Sequence, residues 1–371
     1  MKENWRSKLI IISIVMIFLY AFKGQKGDLI QNLSISVGVG FDLEDTASGN
    51  VNYSVPISTY IFESSGNLSS EVYIGKAKSM GETREARQIK ANKKFLLGLE
   101  KIFIYSEESA LYGLRHTIDV LVCNPDINDK AKIVIYNGKS EDILRHKVKG
   151  YASSAEFIDG LIDSSKQFNF FSDQYTIMDM IVRVDAEGRN VVLPYIELKG
   201  KDIVLTGLAI FKEDTMIAKA SMNEAKIINL LRENNVSGML TIQKNAKEYI
   251  NYYAKSKRKV KCYKKDGEYT FIIDIDLKGA IVSNELYKDF YSDPKVIKEF
   301  TKSMEENVKK MCEDFLSESK CRYNVDFLEL GRVAAAKYGR GTGIDWNNEI
   351  CKSKIEVNVK VDLNSEGRGG Y

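Results

Sequence analysis

Histidine is almost missing from this chain: His116 and His146 are the only two in 371 residues. Neither has a second His or a Cys at ligand spacing, which argues against a metal centre of the usual imidazole and thiolate kind. Cysteine is sparse as well. Five occur, Cys123, Cys262, Cys312, Cys321 and Cys351, with no Cys-x-x-Cys among them. An odd number leaves at least one free thiol or one intermolecular pair in an exported chain. Either all five stay reduced, or Cys312 and Cys321 form the bridge best placed to tie a helix end to the segment after it. Proline, at four residues, is too scarce for a Pro-rich linker or stalk. No Gly-x-Ser-x-Gly elbow displays a hydrolase nucleophile. A net charge of +3 argues neither for nor against nucleic acid. Long apolar runs are absent too, with one exception.

That exception is Leu9 to Phe22, 14 apolar or small residues preceded by Lys2, Arg6 and Lys8 and followed by Lys23-Gly24-Gln25-Lys26-Gly27-Asp28. A basic leader before such a run has the shape of an export signal or a single membrane anchor. Leu19-Tyr20-Ala21 is a poor cleavage site, because Leu stands where a small residue is wanted, so the leader is expected to stay attached as a signal anchor. The run spans only about 21 Å of helix, short of a ~30 Å hydrocarbon core. It reaches about 30 Å if the helix extends from Trp5 to Gly24 with Arg6 and Lys8 snorkelling.

What remains is ordinary globular material, 44% hydrophobic and 28% charged, so a buried core is expected rather than disorder. Twenty tyrosines suit half-buried strands and wet interfaces. Leu33 to Phe41 and Val51 to Ile61 read as an antiparallel pair around the polar stretch 44–50. Ser79 to Lys94 is helix-compatible, Lys101 to Tyr105 a strand, and Glu107 to Val122 one amphipathic helix closed by Asn124-Pro125. Lys132 to Tyr136 is a strand, Ser140 to His146, Ser153 to Ser165 and Asp173 to Val184 are helices, and Asn190 to Leu198 is a strand. A hairpin over Ile203 to Phe211 and Met216 to Lys219 turns at Glu213-Asp214, before a helix from Asn223 to Glu233. Tyr252 to Tyr263 and Tyr269 to Leu277 form a second hairpin about Asp266-Gly267. Pro294 opens a long helix, 295–317, with Val296, Ile297, Phe300, Met304, Val308, Met311 and Phe315 as one stripe. Asp326 starts another helix, and 354–363 is a last strand of strict alternation. The pattern predicts an α/β (α+β) fold of several mixed-sheet subdomains behind the leader. The expected division is 1–28, 29–200 and 201–371, with the boundary at Lys199-Gly200-Lys201-Asp202.

The chemistry inventory is nearly empty. Gly38-Val39-Gly40 follows a strand, but Leu43 stands where a dinucleotide loop needs its third glycine; a strand approaching another backbone is the better reading. Gly339-Arg340-Gly341-Thr342-Gly343 lacks the Lys-Ser/Thr of a phosphate loop and reads as a connector. Lys255 to Lys265 carries Lys255, Lys257, Arg258, Lys259, Lys261, Lys264 and Lys265 between Tyr252, Tyr253 and Tyr263. Beyond a membrane this suits anionic headgroups or an acidic partner; it also suits a solvated hairpin whose like charges protect an edge strand. No catalytic, cofactor-binding or metal-ligating residue stands out, which favours a binding or signalling module over an enzyme.

Several landmarks recur in a known order. They are the strand Ile35-Ser36-Val37-Gly38-Val39-Gly40-Phe41-Asp42, the block Lys101-Ile102-Phe103-Ile104-Tyr105-Ser106-Glu107-Glu108-Ser109-Ala110 continuing to Gly113-Leu114, and Asp119-Val120-Leu121 through Asn124-Pro125-Asp126-Ile127. Leu205-Thr206-Gly207-Leu208-Ala209-Ile210-Phe211-Lys212, then Asp326-Phe327-Leu328-Glu329-Leu330-Gly331 and Trp346, complete the series. In this order they resemble the Ger(x)C family, the C subunits of spore nutrient germinant receptors. The resemblance implies a non-enzymatic membrane protein without cofactors on the outer face of the inner spore membrane. It also implies assembly with integral-membrane A and B receptor subunits and a part in the germination response. Members of that family are normally lipoproteins, with a Cys followed by Trp-Asp after the apolar run. Here Phe22-Lys23-Gly24-Gln25 stands in that place, so the chain is lipoprotein-like without the lipidated thiol, and the leader alone must anchor it. An extracytoplasmic solute-binding component of a transporter is the alternative reading.

Overall fold

The computed structural model describes residues 3–22, 32–45, 51–63 and 66–364. The expected turn at 46–50, the leader's flank at 23–28 and the tail at 367–371 lie outside them. Helix α1 (Glu3–Phe22) comes first. Its apolar side chains point outward all round, from Leu9 at 45% exposure to Tyr20 at 84%. Among the described residues no helix is long and apolar enough to cross a membrane.

The body holds two sheets. The larger has nine strands in the order β3-β2-β1-β5-β6-β7-β8-β9, with β4 also pairing β1. These strands are β1 (Leu33–Asp45), β2 (Val51–Phe62), β3 (Leu68–Ala77), β4 (Lys94–Leu96), β5 (Ile102–Ser106), β6 (Lys132–Tyr136), β7 (Val192–Lys199), β8 (Asp202–Lys212) and β9 (Thr215–Ser221). The centre, β1-β5-β6-β7, is parallel and the flanks are antiparallel. Parallel strands need both faces covered, and these are. Ile102 and Ile104 of β5 point to one core with α5 (Ser140–Arg145) and α6 (Ser154–Phe168). Phe103 and Tyr105 point to the other, under α2 (Met80–Gln88), α3 (Glu107–Tyr112), α4 (Arg115–Val122) and α7 (Ile177–Val184).

The smaller sheet runs β10 (Ser237–Asn245), β11 (Glu248–Lys265), β12 (Glu268–Asn284), β13 (Lys354–Leu363), antiparallel until β13 joins β12 in parallel. Helices α8 (Met222–Arg232), α9 (Pro294–Tyr323), α10 (Leu330–Tyr338) and α11 (Trp346–Lys352) pack around it. Phe300, Met304, Val308 and Cys312 of α9, Ile228 of α8 and Phe271 of β12 share one cluster with the first core, so the interior is continuous between the sheets. The mixed α/β class expected from the sequence is the class observed.

Five local expectations need correction. Glu107 to Val122 is two helices, because Gly113 turns to φ +121 and the next two amides are claimed by the tip of the β8–β9 hairpin. Leu114 N–H donates to the Asp214 carbonyl and Arg115 N–H to Asp214 Oδ2, both at 2.9 Å. The long helix starts at Pro294 as expected but runs to Tyr323, beyond the expected 317, with Asp293 Oδ1 accepting from Lys295 N–H at 2.8 Å. The helix after Asp326 begins only at Leu330. Cys312 carries a free thiol, and the Cys312–Cys321 bridge does not form: both residues sit on α9, nine positions or about 13.5 Å apart, well past disulfide reach. Finally, β11 is an inner strand between β10 and β12, not an edge that charge must protect.

Candidate functional site at the junction of the sheets

Asp326-Phe327-Leu328-Glu329-Leu330-Gly331 forms the hub between the two halves. Asp326 is buried, and its carboxylate accepts Leu330 N–H at 3.1 Å and Gly331 N–H at 2.7 Å, capping α10 from just outside it. Burial pushes its carboxyl up to about 6, although those two amides and Arg232 pull it down. Glu329 then takes the left-handed conformation, φ +56, uncommon for a residue with a side chain. The turn aims its carboxylate inward. Gly331 is pressed against Trp346, where an added Cβ would lie 2.6 Å from the Trp346 Cβ.

The Glu329 carboxylate is shared by four arginines, three of them remote in sequence and the fourth, Arg332, one turn on. Arg183 Nε donates to Oε1 at 2.8 Å and Arg232 Nη2 to the same oxygen at 2.7 Å. Arg189 and Arg332 approach Oε2 at 3.7 and 3.6 Å. Burial alone would raise this carboxyl; Arg232, Arg183 and Arg189 overcome it and hold it down to about 2. Arg232 donates also to Glu233, to the Phe327 carbonyl and to the Asn190 carbonyl, so each of its three nitrogens has an acceptor. Arg183 likewise donates to the Gln174 carbonyl and to Gln174 Oε1. Asn190 reaches the Asp326 carbonyl at 3.1 Å and Asn347 Oδ1 at 2.8 Å. The result is a polar rivet, with α7, the segment leading into β7, α8, α10 and α11 meeting around one buried charge.

Other residues singled out in the sequence are dispersed. His116 lies between the rings of Tyr53 and Tyr112, at 5.0 and 5.6 Å, and burial lowers its pKa. His146 Nε2 is 2.9 Å from the Lys201 carbonyl. Among the described residues no three His, Cys, Asp or Glu side chains converge as metal ligands. Gly38 and Gly40 let helices close on β1: an added Cβ would sit 2.6 Å from Ala155 Cβ and 2.1 Å from Ser140 Oγ. Asp42, just beyond, accepts from Ser140 N–H at 2.7 Å and Glu141 N–H at 3.2 Å, capping α5. The glycine connector 339–343 turns through three positive φ values, and Gly341 N–H donates to Glu187, whose other oxygen takes the Trp346 indole N–H at 3.0 Å. On β11 the exposed Lys257 and Lys259 stand opposite Asp276 and Asp274 of β12. Lys261 pairs with Asp274 at 2.7 Å, so the basic stripe is part of a mixed-sign face.

The architecture defines a class first: a two-sheet mixed α/β protein whose halves are joined through a buried ionic hub. Residues 27–198 match the family model described as "Spore germination protein N-terminal domain", and residues 206–367 match "Spore germination B3/GerAC like, C-terminal". The chain belongs to the Ger(x)C family of spore germination proteins. It is 22% identical over 366 residues to spore germination protein GerQC of Bacillus cereus, covering 96% of this chain and 98% of that one. It is 20% identical over 255 residues to spore germination protein A3 of Bacillus subtilis (strain 168), 68% of each chain. The crystal structure of the GerBC protein shares the fold with a TM-score of 0.56 at 12% identity, covering 88% of this chain and 98% of that one.

Proposed function

We propose that this chain is the non-enzymatic C subunit of a spore nutrient germinant receptor, needed for the germination response and working beside integral-membrane A and B subunits. The observation that carries the reading is the match of both family models, in order, over nearly the whole chain. In this reading the 29–200 and 201–371 regions form one extracytoplasmic body, held by α1 to the outer face of the inner spore membrane. The exposed apolar surface of α1 supports a membrane contact, because such a surface is unfavourable in water. Its uninterrupted apolar run of 14 residues is short, so the flanking Trp5 and basic residues are assigned to the interface. The alternative of a transporter's solute-binding component needs two lobes free to close on a ligand. The shared core and the Glu329 rivet work against that motion.

Deleting the gene and following nutrient-triggered loss of spore refractility tests the proposal. Loss of the response to at least one nutrient is expected. Unchanged germination with every nutrient, in a strain without a redundant paralogue, would overturn it.

A further inference from the structure

Beside the Glu329 rivet lies a cavity of about 390 Å³, walled on one side by β11 and on the other by the start of α10. At ~30 Å³ per water it holds about a dozen waters or a small polyatomic ion. Its lining carries six cationic side chains, Arg183, Arg189, Arg232, Arg258, Lys259 and Arg332, against two carboxylates, Glu233 and Glu329. The two sets of arginines differ in how they are used. Every guanidinium nitrogen of Arg183 and Arg232 already donates to a protein acceptor, as described above. Arg258 donates through Nη2 to the Leu328 carbonyl at 3.1 Å, while its buried Nε has no hydrogen-bond partner. Arg332 Nε is also buried without a hydrogen bond, its distance to Glu329 Oε2 being 3.6 Å. Arg189 meets the same oxygen at 3.7 Å, beyond hydrogen-bond range. Among the described residues, then, three guanidinium groups face one space with donors to spare, Arg189 and Arg332 sharing the Glu329 carboxylate and Arg258 feeling chiefly the charge of Glu233.

An excess of positive charge in a partly enclosed space is unfavourable unless something of opposite sign enters it. Guanidinium forks match planar or tetrahedral oxyanions with two donors each, a geometry that chloride cannot exploit. We propose that this cavity is a binding site for a small oxyanion, a phosphate or carboxylate group, clamped by Arg189, Arg258 and Arg332 at the seam between the two sheets. Because its walls come from both sequence halves, an occupant would tighten the same junction that Glu329 rivets. The site is independent of the receptor reading and can be tested without spores.

The test uses the full chain in neutral-detergent micelles, titrated with inorganic phosphate or with citrate while NaCl holds ionic strength constant. A saturable rise in melting temperature is expected, with apparent affinity weakened about tenfold or more in Arg332→Gln. Arg332 is 43% exposed, so this variant should fold; Arg189→Gln gives a second reading from another element. Equilibrium dialysis with labelled phosphate supplies direct stoichiometry. Micelles doped with phosphatidylglycerol replace the free anion in a parallel arm. A rise there that disappears in Arg332→Gln assigns the oxyanion to a lipid headgroup, and a rise with phosphate or citrate alone assigns it to a free anion. No saturable rise in either arm, equal response to chloride, or the parent's affinity retained in both variants overturns the site.

Discussion

Replacing Glu329 by Gln keeps the side chain's shape and removes the charge that Arg183 and Arg232 share at 2.8 and 2.7 Å. Leaving buried guanidinium groups without their counter-charge is expected to cost about 3–5 kcal/mol. Urea unfolding would show this as a lower midpoint with an unchanged slope, and a loss below about 1 kcal/mol would mean that packing holds the junction. The pH dependence has a definite sign. The carboxyl is lowered from 4.5 to about 2 on folding, so its contribution is complete above about pH 4.5 and is lost as pH falls toward 2. The Gln variant should therefore lose stability less steeply than the parent chain between those limits. The cluster was invisible in the linear sequence because Arg183 and Arg189, then Arg232, Arg258 and Arg332, are scattered over about 150 residues with no shared spacing. The only signal was the segment from Asp326 to Gly331, which resemblance singled out without saying why.

At the scale of elements, the alternating strands and the capped amphipathic helices were legible because each carries its own period and punctuation. Pro294 opened α9 where expected, and Asp266-Gly267 turned the long hairpin with φ values of +52 and +88. What could not be read depended on partners. β3 and β10 are too polar to announce themselves, and the break at Gly113 exists because Asp214, about a hundred residues on, caps the second piece. The glycines of β1 show the same dependence with a measurable sign. Gly40→Ala drives a methyl against Ser140 Oγ at 2.1 Å and Pro56 Cγ at 2.7 Å, and a loss of about 1–3 kcal/mol is expected as α5 is levered off the strand. Gly160, exposed within α6 with nothing inside 4 Å, should behave oppositely. Gly160→Ala is expected to add about 0.5–1 kcal/mol. Thermal melting of the two variants compares them directly, and a stabilised Gly40→Ala would refute the close-approach account.

For the molecule as a whole, the proposed anchor depends on α1 alone, since no cysteine stands directly after its apolar run for a lipid to occupy. Replacing Ile11 and Ile14 together by Lys places two charges mid-helix, at about 2.5–3.5 kcal/mol each. Membrane-fractionated cells should then show the variant in the soluble fraction, and intact mass of the parent should retain residues 1–28. A parent species starting near residue 22–28 would refute the uncleaved anchor. The unbridged α9 thiol has a further use. Burial pushes Cys312 up to about 12 and Cys262 up to about 11, so neither is a competent nucleophile while the body is closed. Alkylation of Cys312 must wait until α9 lifts away, and its rate therefore times that opening. Slower labelling in the presence of a bound partner or anion would turn a silent core residue into a native clock for receptor assembly.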